Sequence, residues 1–467
     1  MASSVKLGSH NDYISQSQGC VVTMKGFKKQ APAVDSQVRI VSKKETAVST
    51  DPVKVSLHDC LACSGCITTA ETVMLEQQST GELLSQLSAS NKAVVVSLSP
   101  QSRASLAAYY GLTPLQAFKK LSGFLKSLGV KAVFDTSCSR DISLVESCAE
   151  FVERFREKKK FPILASSCPG WVCYAEKTHG DDVLPYISAV KSPQQVMGTI
   201  LKRYVCKSLG LLPEDVYHVT IMPCYDKKLE AAREDFIFEV EGEGLTEGNK
   251  PQITEVDCVL TSGEILDLLQ TRNVVFGELE EVPLDRVLTN VDEREHLYGV
   301  SGGSGGYAEC IFRYASRELF GKEISGPLQF KTLRNADFRE ITLEVDGKQV
   351  LKFALVYGFR NIQNIVRQIK AGRCDYHFME VMACPSGCLN GGGQIKPKKG
   401  QTAKELIQQL EGAYLNDVDV REPFENEIVK GLYKEWLGYP SSEKASQIMR
   451  TQYHVREKTV ANFVSDW

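Results

Sequence analysis

The stretch Glu380-Val-Met-Ala-Cys384-Pro-Ser-Gly-Cys388-Leu-Asn-Gly-Gly-Gly393-Gln contains two cysteines that are four residues apart and are followed by a run of glycines. Because glycine lacks a Cβ, the backbone here can close around an inorganic group and leave amides free to donate hydrogen bonds. Thiolates in such a turn are typical ligands of iron–sulfur clusters. The stretch therefore predicts an iron–sulfur site near the carboxyl end of the chain.

Two other cysteines stand where strand-like runs end. Cys168 follows the run Ile-Leu-Ala-Ser-Ser and precedes a Pro-Gly turn, and Cys224 follows the run Val-Thr-Ile-Met-Pro. With Cys384 and Cys388 they provide four thiolates, the number that ligates a [4Fe–4S] cluster. A structural zinc site is the alternative, because zinc also binds four thiolates.

A second cysteine motif lies near the amino terminus. Cys60, Cys63 and Cys66 have the spacing C-x2-C-x2-C, which places three thiolates around one face of a cluster. The fourth ligand must come from elsewhere, and Cys20 is the candidate because it is the only other cysteine upstream of Cys138. His58 is the alternative ligand. We therefore predict a second [4Fe–4S] cluster in this segment.

Composition limits the classes of protein to consider. A chain of 467 residues with 43% hydrophobic residues can form two or three domains with real cores. Fifteen cysteines without an apolar signal segment indicate a reducing compartment. The cytosol is expected, and the short basic runs leave the nucleus as a weaker alternative. A net charge of −3 and short apolar runs predict no nucleic-acid partner and no membrane span.

Hydrophobic patterning predicts an α/β fold from about residue 92 onward. We expect buried strands that alternate with helices, which is typical of a parallel sheet with its site at the carboxyl ends of the strands. The predicted strands of the first unit are 92–97, 131–136, 161–165 and 216–222, and its predicted helices are 113–128, 141–157 and 192–209.

A second α/β unit is predicted downstream, with the site in the cleft between the two units. Its expected elements are a strand at 256–261, a helix at 263–270, a hairpin over 341–357 around Asp346-Gly347, and a strand at 376–382 that delivers Cys384. Residues 241–250 are expected to form a surface excursion, and 402–414 and 422–436 to form helices. The predicted domains are an amino-terminal iron–sulfur segment with little periodic structure (1–90), two α/β lobes (91–225 and 226–400) and a carboxyl-terminal helical segment with its tail (401–467).

Three segments, which contain Cys168, Cys224 and the pair Cys384 and Cys388 with their flanking residues, resemble the three active-site loops of iron-only hydrogenases. They are still more similar to the hydrogenase-like cytosolic iron–sulfur assembly factors, which are also called nuclear prelamin A recognition factor-like proteins. The similarity runs over nearly the whole chain. It includes Ser166-Ser-Cys-Pro-Gly-Trp-Val-Cys-Tyr-Ala-Glu-Lys-Thr-His179, Met222-Pro-Cys-Tyr-Asp-Lys-Lys-Leu-Glu230, Ser192-Pro-Gln-Gln-Val-Met197, Gly302-Gly-Ser-Gly-Gly-Tyr307 and Thr451-Gln-Tyr-His454.

The resemblance implies an iron-only hydrogenase-like fold with two α/β lobes, whose parallel sheets flank a buried cluster. It also implies a small-subunit-like helical segment at the carboxyl end. One position departs from hydrogenases, which place a proton-delivering cysteine directly before the ligand that aligns with Cys168. This chain has Ser167 there, and a hydroxyl is a poor proton donor and acceptor near neutral pH. Hydrogenase activity is therefore not expected.

The resemblance further implies a role in maturing extramitochondrial iron–sulfur proteins. The protein would act as an adaptor or transfer factor between an early P-loop NTPase scaffold and the late cytosolic iron–sulfur targeting complex with its WD40-repeat subunit. Apo iron–sulfur proteins would be indirect partners. The tail Phe463-Val-Ser-Asp-Trp467 is expected to dock on that complex, with a packed terminus as the alternative. An active iron-only hydrogenase and a nuclear prelamin-binding protein are the alternative functions.

The other signals have simpler interpretations. Lys227 and Glu230 either form a helical i,i+3 pair or balance the charge of an anionic cluster. Ser301-Gly-Gly-Ser-Gly-Gly306 lacks the ending of a phosphate-binding loop, which favours close backbone approach near the cluster of Cys168, Cys224, Cys384 and Cys388. Seven cysteines are expected to be core thiols, with Cys173 as the first candidate exception. They are Cys138, Cys148, Cys173, Cys206, Cys258, Cys310 and Cys374.

Overall fold

A computed structural model describes residues 74–89, 91–240, 251–416 and 418–456. The described strands are β1 (Ala93–Leu98), β2 (Ala132–Asp135), β3 (Ile163–Ala165), β4 (Val216–Met222), β5 (Ile237–Glu239), β6 (Gln252–Thr254), β7 (Cys258–Thr261), β8 (Leu297–Gly299), β9 (Lys331–Thr332), β10 (Phe338–Val345), β11 (Lys348–Tyr357), β12 (Phe378–Met382) and β13 (Val418–Val420).

The described α-helices follow the same chain order. They are α1 (Thr80–Ala89), α2 (Pro100–Tyr110), α3 (Pro114–Ser127), α4 (Thr136–Arg156), α5 (Pro169–Thr178), α6 (Pro193–Ile200), α7 (Cys206–Ser208), α8 (Asp226–Ala231), α9 (Ser262–Thr271), α10 (Tyr307–Phe320), α11 (Phe359–Lys370), α12 (Ala403–Leu415), α13 (Glu427–Leu432) and α14 (Glu443–Met449).

The first large sheet has the strand order β2-β1-β4-β7, and all of its strands are parallel. Its central strands β1 and β4 are rich in valine, and β4 is buried along its whole length. Such continuous apolar runs are typical of a parallel sheet that is covered on both faces. The strand predicted at 216–222 is confirmed by β4.

The second large sheet has the order β3-β12-β11-β10-β9. Strands β3, β12 and β11 are parallel, whereas β10 and β9 are antiparallel. The hairpin between β10 and β11 turns at Asp346 and Gly347, which have φ values of 51° and 73°. Two successive left-handed residues are what the tight hairpin turn requires, so the predicted hairpin is confirmed.

The predicted grouping of two strands is wrong. The sequence pattern predicts β3 in the first unit, but β3 pairs with β12 in the second sheet. It predicts β7 in the second unit, but β7 pairs with β4 in the first sheet. The order of the strands along the chain does not predict these two pairings. Each strand is separated from its partner by a long stretch of chain, and the residues of a strand do not specify which strand lies beside it. The predicted lobe boundaries remain predictions.

Helix α4 lies between the two sheets. Leu144, Cys148 and Phe151 pack into the core of the second sheet, whereas Ile142 and Val145 pack into the core on one face of the first. A helix that is apolar on two faces is buried all round. The helix begins at Thr136, earlier than predicted, where the Asp135 carboxylate accepts a hydrogen bond from Ser137 N at 2.9 Å and caps the first turn.

Helical segments flank this core. Helix α3 confirms the prediction at 113–128 and begins with a capping box between Thr113 and Gln116. The helix predicted at 192–209 is α6, which continues through a π-turn at Leu201–Val205 into α7. Helix α1 lies in the segment for which little periodic structure was predicted. Residues 241–250 lie outside the described ranges.

The carboxyl-terminal segment is helical, as predicted, and packs on the first sheet's layer. Leu410 of α12 lies in a small core with Ala104 of α2, and α13 and α14 contribute to the core beside α4 and α6. Across the described ranges, none of the helices has the length and apolar character needed to cross a bilayer.

Candidate metal centre

Four of the predicted ligands line one cavity. Cys168 follows β3 and caps α5, Cys224 follows β4, and Cys384 and Cys388 follow β12. The strands that deliver them belong to both large sheets, and all four cysteines border the same space. The structure therefore brings together, from three separate loops, the cysteines that the sequence singled out.

Backbone amides point at two of these sulfurs. Ala383 N lies 3.5 Å from Cys168 Sγ, and Asp226 N lies 3.3 Å from Cys224 Sγ. Hydrogen bonds of this kind stabilise negative charge on sulfur and tune the properties of an iron–sulfur cluster. The loops therefore provide both the thiol ligands and donors to them.

Two glycines allow these loops to approach each other. A Cβ on Gly391 would lie 2.2 Å from Pro223 O, so the Cys388 loop touches the backbone next to Cys224. A Cβ on Gly387 would lie 1.8 Å from Ser304 Oγ, and Gly387 also has a φ of 74°. Neither contact leaves room for a side chain, which explains why the motif is rich in glycine.

The thiols lie in surroundings that disfavour free thiolate. Burial raises the pKa of Cys168 to about 11, and the nearby Asp226 raises it further, whereas Lys227 lowers it. Burial also raises the pKa of Cys388 to about 12, with a further rise from Cys168. Such thiols are protonated at neutral pH without metal, and a metal ion exchanges those protons for its own charge. The donor set therefore fits a metal centre with four thiolates.

Lys227 and Glu230 form the predicted i,i+3 pair. The ammonium of Lys227 donates to Glu230 Oε2 at 2.9 Å and to Ser192 Oγ at 3.1 Å, and both charged side chains are buried. Lys227 also borders the cavity of the four cysteines. The two interpretations of the pair are therefore compatible, since a buried ion pair can also place a positive charge beside an anionic cluster.

The glycine-rich loop at 301–306 approaches the centre, as expected. Ser304 and Gly305 border the cavity, and Ser304 Oγ accepts a hydrogen bond from Cys388 N at 3.0 Å. The chain then enters α10, where Ala308 N donates to Glu380 Oε2 at 2.9 Å. The loop is therefore fixed at one end to a ligand and at the other to the strand that precedes Cys384.

Several residues at or beside the cavity were not predicted from sequence as site residues. Asp226 lies beside the cavity residue Cys224, with its amide nitrogen 3.3 Å from Cys224 Sγ, and burial raises the pKa of its carboxyl to about 6. Arg140 and Gln194 border the cavity from α4 and α6. Gln194 lies in the quoted motif Ser192-Pro-Gln-Gln-Val-Met197, which was the one signal that could have found it. Ser167 borders the cavity directly before Cys168.

The remaining described cysteines mostly fit the prediction of core thiols. Cys138, Cys148, Cys173, Cys206 and Cys258 are buried, whereas Cys310 and Cys374 are half-buried. Burial raises the pKa of Cys173 to about 12. The amino-terminal ligand candidates Cys20, Cys60, Cys63 and Cys66, the alternative ligand His58 and the tail that ends at Trp467 lie outside the described residues, so these remain predictions.

Comparison with known proteins gives the family. The family described as "Iron only hydrogenase large subunit, C-terminal domain" matches residues 92–392, and "Iron hydrogenase small subunit" matches residues 403–456. Protein NAR1 from Arabidopsis thaliana is 57% identical over 99% of this chain and 98% of its own length. Cytosolic iron-sulfur assembly component 3 from Mus musculus is 47% identical, with the same coverage. The chain belongs to the hydrogenase-like cytosolic iron–sulfur assembly family.

Solved structures give the same fold. A variant of the [FeFe]-hydrogenase HydA1 from Chlamydomonas reinhardtii has a TM-score of 0.69 and 26% identity, over 81% of this chain and 99% of the hydrogenase. An apo form of HydA1 gives a TM-score of 0.67 at 27% identity. The predicted fold class is confirmed: this member of the family has the α/β architecture of a hydrogenase.

Proposed function

We propose that this protein is a component of cytosolic iron–sulfur protein assembly and holds a [4Fe–4S] cluster on Cys168, Cys224, Cys384 and Cys388. The observation that carries the proposal is that these four thiols, from three separate loops, border one cavity. A bound cluster would supply electron-transfer capacity or a transferable unit. The names of relatives, such as cytosolic iron-sulfur assembly component 3, support the cellular role and a location in the cytosol.

A second [4Fe–4S] cluster belongs to the proposal, with Cys20, Cys60, Cys63 and Cys66 as its ligands. Its support is the spacing of three cysteines within seven residues of sequence. The fourth ligand closes a loop of about 40 residues, which costs conformational entropy. We expect this cluster to be the more labile of the two.

The proposed activity is adaptor or transfer work between an early P-loop NTPase scaffold and the late targeting complex, and not turnover of a small substrate. Its support is the family, together with Ser167 in the place of a proton-relaying thiol. The terminal Trp467 would anchor the chain on the WD40-repeat subunit of the targeting complex, since tryptophan is a frequent interface anchor. Hydrogen evolution by iron-loaded protein would instead support the hydrogenase alternative.

Transfer and docking can be tested separately. Protein loaded with radioactive iron is incubated anaerobically with an apo acceptor of a [4Fe–4S] cluster and an iron chelator. We expect label on the acceptor with wild type, and less with Cys384→Ala. Deletion of Trp467 should weaken capture of the targeting complex without changing the iron content. Iron that stays on this protein throughout would contradict transfer, and unchanged capture would contradict docking through the tail.

A further inference from the structure

Two cysteines away from the metal centre have their sulfurs in contact. Cys148 Sγ on α4 lies 3.8 Å from Cys310 Sγ on α10. The two residues are 162 positions apart in the chain, so helix packing brings them together. Neither residue borders the cavity of the four ligand cysteines. The sequence predicted both as unrelated core thiols, and nothing in their spacing indicated a pair.

The two thiols differ in access. Cys148 is fully buried in the core of the second sheet, whereas Cys310 is half-buried at its edge. Tyr314 and Arg317 follow Cys310 on the same face of α10. Tyr314 stacks on Phe424 with ring centroids 4.7 Å apart, and Arg317 lies 3.9 Å from Glu422. Arg317 and Glu422 are both exposed. Cys310 is therefore the more accessible residue of the pair.

We propose that Cys148 and Cys310 form a reversible, peroxide-oxidisable dithiol site that closes to an intramolecular disulfide. The sulfurs must move from contact distance to a bond of about 2.05 Å. No backbone lies between the two sulfurs, because they are in direct contact. The product would join α10, which starts beside the glycine-rich loop, to α4 between the two sheets.

The reaction balances with hydrogen peroxide as the oxidant. Cys310 sulfur attacks one peroxide oxygen, so an S–O bond forms, the O–O bond breaks and water leaves with the thiol proton. Cys148 sulfur then attacks the sulfenic sulfur, so the S–S bond forms, the S–O bond breaks and a second water leaves. Two thiols lose two electrons and two protons, and peroxide takes up both.

The exposure and the protonation of the two thiols determine that Cys310 reacts first and Cys148 second. Burial raises the pKa of Cys148 well above that of an ordinary thiol, and its contact with Cys310 raises it further. Thiolate is the reactive form toward peroxide, so a buried protonated thiol is a poor first nucleophile. Cys148 is instead placed to resolve the sulfenic acid formed on its neighbour.

The test uses full-length, cluster-loaded protein under anaerobic conditions. It is treated with one equivalent of hydrogen peroxide, blocked with N-ethylmaleimide, digested and mapped by mass spectrometry. We expect one cross-linked peptide that joins Cys148 to Cys310, and a fall of roughly tenfold in maleimide labelling of Cys310. Dithiothreitol should restore the labelling.

Variants keep the proposal falsifiable. Cys374→Ser removes another half-buried thiol and should leave the cross-link unchanged. Cys148→Ser should stop oxidation at a sulfenic acid on Cys310 that dimedone traps. Cys310→Ser should abolish the cross-link, and it replaces a half-buried residue, so the buried core stays as it is. A sulfenic or sulfinic acid on wild-type Cys310 with no cross-link would overturn the proposal. So would full maleimide labelling of Cys310 at a peroxide dose that already oxidises the ligand cysteines.

Discussion

Replacing Gly391 with alanine would separate the loops that hold two of the proposed ligands. A Cβ at this position would lie 2.2 Å from Pro223 O, 3.0 Å from Pro223 C and 3.1 Å from Cys388 O. Ordinary contact begins at 3.4 Å, so the Cys388 loop and the loop before Cys224 must move apart by roughly 1 Å. Gly391 has φ −63° and ψ 147°, which alanine adopts without strain. The effect is therefore purely steric.

Overpacking of this kind costs about 1–3 kcal/mol, and it destabilises the loop arrangement that brings the four thiols together. Since about 1.4 kcal/mol corresponds to a factor of ten, we expect chelator-driven loss of iron to accelerate by about fivefold to 150-fold. The assay follows the decay of the iron–sulfur absorbance after anaerobic addition of a ferrous chelator. Circular dichroism checks that the variant is folded.

Gly412→Ala is the matched control. Gly412 lies inside α12, and a Cβ there would meet nothing within 4 Å. This change should leave iron release unchanged and stabilise the fold by about 0.5–1 kcal/mol, because alanine favours a helix. The reasoning fails if Gly391→Ala releases iron at the rate of Gly412→Ala.

Other substitutions test separate parts of the account. Burial lowers the pKa of His218 to about 4, so the unfolded chain binds a proton between about pH 6.5 and 4 that the folded chain does not. Stability should fall by up to about 3 kcal/mol on acidification through that window, and urea unfolding of His218→Gln should lack this part of the slope. Ser304→Ala removes the acceptor for Cys388 N, and should cost about 1–3 kcal/mol and speed chelator-driven iron release. Arg233→Gln removes the guanidinium that donates to the buried Glu176 at 2.8 and 2.9 Å but leaves Arg456 Nε 3.2 Å from the same carboxylate, and thermal unfolding should report a loss of about 1.5–3 kcal/mol.

The four ligand candidates of the cavity could be predicted because their local sequence is unusual. A cysteine at the end of an apolar run and directly next to a proline indicates a strand that opens into a loop, and this pattern placed Cys168, Cys224 and Cys384 correctly after strands. The hairpin around Asp346-Gly347 was also local, since its turn residues specify the backbone. Such signals depend on neighbouring residues alone.

What could not be predicted depends on partners far away in the chain. The pairing of β3 with β12 and of β7 with β4 is set by how two sheets pack around α4. Ser304 looks like any serine in a glycine-rich loop until the fold places it beside Cys388. The contact between Cys148 and Cys310 likewise arises only when α4 and α10 pack together.

The central claim is that the chain holds two separate [4Fe–4S] clusters on the ligands named above. The most direct measurement is iron and acid-labile sulfide content with EPR on anaerobically purified protein, comparing wild type with Cys63→Ala and Cys384→Ala. We predict about eight irons per chain, falling by about four in each variant. Zinc in place of iron, or iron content unchanged by Cys384→Ala, would contradict the account.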